Sequence, residues 1–316
     1  MNSIPACYNI LDILQIRLND LANSRGLRNL LAPYRMREGC GKFVEMTLCS
    51  KKWQFPGLPK QGSSTYKGIP WKAAMDWDGI GQVKRIFFYA PFFVSFLASR
   101  ILLIPLLKRT LIEKGGFSIL GDLFHHCGRT FLVFGPPGSG KTRLNLQALE
   151  KGAMFIADNE LLVFQDGVIR ALFREIELRY RTAKGTLFWN RLSAAERFRL
   201  FLFQIISILS LRTISFNISL NPAKLGIESS YESSKRKLTV ICLTEQPGMK
   251  RLAPESLVEA IIGYENWYHL VFGNVFSVDP KKEEDQIRQN MMSFFSDRPI
   301  WRLHAEVNIE RILTLS

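Results

Sequence analysis

The chain has 316 residues, 47% of them hydrophobic and 22% charged, which is apolar enough to bury one large or two modest cores and excludes wholesale disorder. Lysine and arginine outnumber aspartate and glutamate by 42 to 28, and the resulting +14 favours anionic partners such as nucleotides, acidic peptides, nucleic acid or lipid headgroups. An odd cysteine count (5) with no C-x-x-C pair excludes complete internal pairing and points to free thiols in a reducing compartment.

At the N-terminus, Asp12, Arg17 and Asp20 interrupt the apolar stretches, so no secretory signal is expected. Apolar residues across 10–31 recur at helix-like intervals and predict an amphipathic helix. In KFVEMTLCS, Val44, Met46 and Leu48 alternate with Glu45 and Thr47, the period of a half-buried strand; FPGLPKQGSSTYKGIP after it reads as an exposed loop. Residues 1–85 are therefore expected to form a small α+β region. Residues 86–107 are apolar apart from Arg100 and about long enough to span a bilayer. Pro91, Pro105 and the central arginine favour instead a buried or interfacial helical connector over 86–114, with Lys108 and Arg109 placed to touch an anionic membrane surface.

TFLVF (130–134) predicts a buried strand and KTRLNLQALEKG a helix ending at Gly152. Between them FGPPGSGKT supplies a full G-x-x-x-x-G-K-[ST] motif in strand, loop, helix order. Gly135, Gly138 and Gly140 allow positive φ and close approach to oxygen, while the amides around Gly138, Ser139, Gly140 and Lys141 are expected to form an anion nest at a helix N-terminus. Lys141 is placed to bridge β and γ phosphates, and the Thr142 hydroxyl to ligate Mg²⁺.

Downstream, AMFIADNELLVFQDGVIRALF (153–173) predicts a strand ending at Asp158, then a hairpin turned on Asp166 and Gly167. Asp158 is a candidate general base or a Mg²⁺ holder through water; a turn or capping aspartate is the structural alternative. RALFREIELRYRTAKG intersperses Arg170, Arg174, Arg179, Arg181 and Lys184 with acids, which suits a solvated surface rather than a nucleic-acid stripe, and no nucleic-acid module or zinc spacing is present. LFLFQIISILSL (200–211) is too short to cross a membrane and reads as a core or surface-docking helix. KLTVICL (237–243) predicts a strand running toward Glu245, which would face the ligand side or pair with Lys250 or Arg251; Arg251 is a candidate for neutralising transferring phosphate. Residues 281–316 read as a tail holding a short helix and a strand.

The stretches LIEKGG, FGPPGSGKT, LEKGAMFIADNELLVFQDG and KLTVICLTEQPG resemble the HPr kinase/phosphorylase family and its broader group of HPr-kinase-like serine kinases, over residues 86–275. The resemblance implies an α/β fold with a P-loop nucleotide-binding domain of the HPr kinase/PEP carboxykinase-like type at 115–280. It implies ATP and Mg²⁺, with Gly135, Gly138, Gly140 and Lys141 on the phosphates, Thr142 on magnesium, and Asp158 as catalytic base on an acceptor serine. Two departures stand out. Asn159 occupies the place of a usual second acid, and its amide can ligate magnesium but brings no charge. Leu120 stands where many relatives carry histidine, with His125 and His126 five and six residues later. The expected activity is phosphoryl transfer to a serine-like hydroxyl of a protein or peptide. The alternative is a nucleotide-binding adaptor that has lost efficient catalysis. Related enzymes are often oligomers, and a cytoplasmic location with membrane contact through 86–107 is expected.

Overall fold

The computed structural model describes residues 6–20, 25–36, 44–49, 60–66, 69–77, 83–91, 94–136, 138–173, 175–210, 216–230, 232–233, 237–245, 248–265, 280–304 and 309–315. The chain is mixed α/β and divides into two compact units, one of residues 1–113 and 265–285, the other of 114–264 and 286–316.

The first unit is built on β1 (Ala6–Ile10), β2 (Leu14–Asp20), α1 (Arg25–Leu31), β3 (Val44–Cys49), β4 (Lys60–Tyr66), β5 (Ile69–Trp77) and β6 (Val83–Tyr89). Its sheet runs β1-β2-β3-β6-β5-β4, with β2, β3 and β6 mutually parallel and the other pairings antiparallel. Where a helix over 10–31 was expected, the chain forms a hairpin through Asp20 and is helical over Arg25–Leu31. Leu11 and Asp12 take positive φ, Asn9 donates a side-chain hydrogen bond to Asp12 Oδ1 at 2.7 Å, and Ile16 and Leu18 are buried while Arg17 between them is not. The alternation at 14–18 satisfies a period of two, and sheet partners on either side reward that period over the helical one. The loop expected after β3 likewise contains β4, a polar edge strand paired with β5.

Residues 86–89 belong to β6, so the helical segment begins later, with α2 (Val94–Ala98), a π-helical turn Ser99–Leu103 and α3 (Ile104–Glu113). The wider turn precedes Pro105, which has no N–H to offer the Ile101 carbonyl and whose ring would crowd it. Leu97, Ile101, Leu102, Leu106, Leu107 and Leu111 are buried, and Phe96 is the large apolar side chain this segment exposes. Among the described residues no helix is long and apolar enough to cross a membrane.

The second unit holds β7 (Phe117–His126), β8 (Arg129–Phe134), α4 (Lys141–Glu150), β9 (Met154–Ala157), β10 (Glu160–Val163), β11 (Ile169–Ala171), β12 (Ile176–Leu178), α5 (Tyr180–Lys184), α6 (Ala194–Leu209), β13 (Ile218–Leu220), β14 (Glu232–Ser233), β15 (Leu238–Thr244), β16 (Met249–Arg251), α7 (Pro254–Glu265, to residue 264) and β17 (Ile300–His304), with the helix Ile309–Leu313 and, from residue 286, the helix Pro280–Phe295. Its main sheet runs β14-β11-β10-β7-β8-β15-β17-β16, and β9 adds to β7. β8, β15 and β17 are parallel; β7 is antiparallel to β8. Alternation along the central strands divides the core. Phe131, Val133, Ile241 and Leu243 pack with Leu144 and Leu146 of α4, whereas Leu132, Phe134, Val240 and Cys242 pack with Leu257 and Ile261 of α7 and with Phe294 and Phe295. Helices thus cover both faces of a sheet whose central strands are predominantly apolar.

The hairpin over 160–171 turns as expected: Gly167 has φ 84° and the Val168 N–H donates to Asp166 Oδ1 at 2.9 Å. The segment read as a tail belongs to this sheet, because β17 lies between β15 and β16. Among the described residues, Cys7, Cys49, Cys127 and Cys242 are free thiols.

Candidate functional site

β8 delivers the chain to the glycine-rich loop and α4 carries it away. At Gly135 a Cβ would sit 2.6 Å from Ser139 Oγ and 2.9 Å from the Leu243 carbonyl oxygen, so no larger residue fits. Gly138 and Gly140 take φ of 87° and 93°, conformations that side chains resist. Gly140 caps α4 without a side-chain hydrogen bond, which leaves first-turn N–H groups of that helix with no intrahelical acceptor. The Ser139 N–H is turned instead to the Pro136 carbonyl at 3.1 Å, and its hydroxyl oxygen is buried with no partner. Lys141 Nζ folds back over the loop, donating to the carbonyls of Gly135 at 2.6 Å and Pro136 at 3.1 Å. Thr142, next on α4, is half-buried.

Asp158 stands just past the end of β9, 1% exposed. Its Oδ2 accepts the Glu177 main-chain N–H at 3.0 Å, while Oδ1 has no partner. Asp122, inside β7, is equally buried, and neither of its oxygens has a hydrogen-bond partner of good geometry. The two carboxyl groups are close enough for each to shift the titration of the other. Two buried carboxylates side by side repel, so the site favours a proton on the pair. Burial pushes Asp122 up to about 6, opposed by the charge of Lys141 and by the approach of Asp158, the Asn159 main chain and the Asn145 side chain. Burial, and then the charge of Asp122, raise Asp158 well above the usual carboxylate range. The pair titrates as a unit.

Local backbone geometry makes this meeting. β9 pairs with β7 at Leu123 and Phe124, β10 pairs with it from Leu120 backward, and Asp158 and Asn159 cross between the two pairings. At that crossing the Gly121 N–H donates to the Asn159 carbonyl at 2.7 Å, and a Cβ on Gly121 would lie 2.7 Å from the Val133 carbonyl oxygen. Asn159 has φ 80°, a conformation asparagine tolerates better than most residues. It reaches the carboxyl pair through its main chain. Lys141 sits beside both acids: burial lowers its pKa, while Asp122 and Asp158 raise it. Asn145, one turn after Lys141 on α4, is 1% exposed with Oδ1 unpartnered. Arg179, at the start of α5, is near enough for its charge to oppose that of Lys141.

The structure therefore brings Lys141 and Asp158 together beside the loop and adds Asp122 and Asn145, which sequence reasoning missed. A signal for Asp122 existed: in ILGDLF a carboxylate interrupts an apolar strand directly after glycine. His125 and His126 close β7 at the turn through Cys127 and Gly128, and the 6 residues of β8 set them about 20 Å from the loop. His125 Nδ1 instead lies 3.2 Å from Thr130 Oγ1. Leu120 pairs opposite Glu160. Glu245 is exposed beyond β15, and the Arg251 guanidinium stacks over Trp301 at 5.2 Å. Among the described residues no group of three or more His, Cys, Asp or Glu side chains is arranged to hold a metal ion by itself. Compared with known proteins, the chain matches no family model and no curated protein.

Proposed function

We propose that this protein is an ATP-dependent kinase of the HPr-kinase-like type, transferring the γ-phosphoryl group to a serine-like hydroxyl of a protein or peptide through a P-loop domain. The reading is carried by one observation: two buried carboxyl groups, Asp122 and Asp158, set against the lysine of a glycine-rich loop. Both strands that lead to it, β8 and β9, run antiparallel to β7 and so end at the same edge of the sheet, where open α/β sheets bind their ligands.

In this reading the glycine-rich loop and the first turn of α4 hold the phosphates, and Lys141 exchanges its two carbonyl acceptors for phosphate oxygens. Asp158 Oδ1 accepts the proton of the acceptor hydroxyl as that oxygen bonds to the γ-phosphorus; the bond from phosphorus to the bridging oxygen breaks, and ADP leaves with the electron pair. Burial and Asp122 hold a proton on Asp158, which in this reading must leave before the step; the resulting carboxylate is a stronger base than that of an exposed aspartate. The unpartnered oxygens of Asp122 and Asn145 are hard donors of the type Mg²⁺ takes, and Thr142 and Asn159 would complete its protein ligands. Bound there, Mg²⁺ supplies charge neutralisation on the β and γ phosphates. Asp122 also bears on the adaptor alternative, since it provides the second carboxylate that Asn159 lacks.

Calorimetric titration of nucleotide and transfer from γ-labelled ATP to candidate peptides test this. Lys141→Ala should weaken ATP binding by tenfold or more, to about 1.4 kcal/mol or beyond. Asp158→Asn should keep binding and lose transfer by about 10²–10⁴-fold. Unchanged ATP affinity in Lys141→Ala would sink the reading, and wild-type binding without transfer to any acceptor would favour the adaptor.

A further inference from the structure

Helix α6 carries its larger apolar side outward. Successive residues turn by about 100° on a helix, which aligns Phe198, Phe201, Leu202, Ile205, Ile208 and Leu209 in one stripe. All are exposed, from 37% at Ile205 to 78% at Leu209. The inward side carries the buried Leu200 together with Glu196, which closes a capping box with Ser193 and pairs with Lys224. A helix that hides its acid and presents a continuous apolar stripe to water is inverted relative to a core helix, and a patch of this kind marks an interaction surface.

Charge identifies what covers it. Arg197 and Arg199 lie about 100° to either side of Phe198, along both borders of the stripe, where apolar stems can lie on the patch with guanidinium groups at its rim. From 179 to 210 the basic residues are Arg179, Arg181, Lys184, Arg191, Arg197 and Arg199, and the one acid is the inward-facing, paired Glu196. A two-fold contact between copies of this chain through the stripe would gather the bordering Arg197 and Arg199 of both copies with no outward-facing acid of the helix to pair them. An anionic lipid surface meets both the apolar stripe and its basic rim. We propose that α6 lies in the interfacial layer of an anionic membrane, its stripe at the boundary of headgroups and acyl chains and its border arginines on lipid phosphates. The apolar side chains of 94–113 are buried apart from the half-buried Val94 and the exposed Phe96, whereas the stripe of α6 is already presented. This proposal is independent of the kinase reading.

The test is flotation of the full chain with vesicles of phosphatidylcholine alone or mixed equally with phosphatidylserine, at low and high salt. The expected result is flotation with the mixed vesicles, weakened about tenfold by salt or by omitting the anionic lipid. Paired Leu202→Glu and Ile205→Glu should abolish it, Arg197→Glu with Arg199→Glu should weaken it, and Phe96→Glu should leave it unchanged. The altered positions on the stripe are exposed, and thermal melting of each variant verifies that the fold is retained. Wild-type protein that does not float, flotation indifferent to the α6 substitutions, or flotation lost on Phe96→Glu would overturn the proposal. So would a lipid-free dimer dispersed by Ile205→Glu, which would assign the stripe to a second copy.

Discussion

Asp122 and Asp158 occupy a space that tolerates one negative charge far better than two, and this ties function to a stability cost. Asp122 is raised from 3.8 to about 6 by burial first, so the fold favours its protonated form. Its contribution is most favourable below about pH 4, and is lost as pH rises through about 6. Asp122→Asn removes the charge and keeps the shape. Thermal melts should show a stabilisation on the order of 2 kcal/mol at about pH 8 and almost none at about pH 4, and on the proposed kinase reading phosphoryl transfer should slow. Equal destabilisation at both pH values would show that the two carboxyl groups do not share a proton. Lys141 and Thr142 were legible in the sequence because a glycine-rich loop has fixed spacing. Asp122 was not: its partner is 36 positions away, and only the strand pairing of β7 with β9 joins them.

At the scale of elements, α6 depends on its first turn more than a two-sided core helix would. Ser193 and Glu196 exchange hydrogen bonds there, the Ser193 N–H donating to Glu196 Oε2 at 2.9 Å. Lys224 foremost, then Ser193, lower Glu196 from 4.5 to about 2 against the effect of burial. The stability from this carboxylate is therefore present above about pH 4.5 and lost as pH falls toward 2. Ser193→Ala should cost about 1 kcal/mol in urea unfolding at neutral pH. A change within error would mean that packing, not the cap, holds the helix start. S-A-A-E before an apolar run is a local signature, and so the helix was readable. The N-terminal hairpin was not, since Leu14, Ile16 and Leu18 belong to both a helical and an alternating pattern, and the sheet neighbours decide between them.

For the molecule as a whole, the C-terminal residues are structural to the second unit. β17 fills the position between β15 and β16, and Phe294 and Phe295 sit in the core under α7. Removing residues 286–316 would leave one edge of β15 unpaired and uncover large apolar side chains, so the truncated chain should be insoluble or should lose cooperative unfolding. Soluble expression and thermal melting check this, and a truncated protein that melts like the full chain would contradict it. The apolar run after β6 illustrates the same scale: composition made it a candidate span, but a strand, a π-helical turn and burial of its side chains place it within a folded unit.

The order of strand, loop and helix around Lys141 and the turn at Asp166 and Gly167 were determined by the sequence alone, because each rests on backbone preferences of neighbouring residues. Tertiary structure decided that Asp122 is the partner of Asp158, that residues 300–304 complete the sheet, and that the apolar stripe of α6 faces outward. Each of these depends on which distant segments become neighbours, and burial acts on that arrangement rather than on any single stretch of residues.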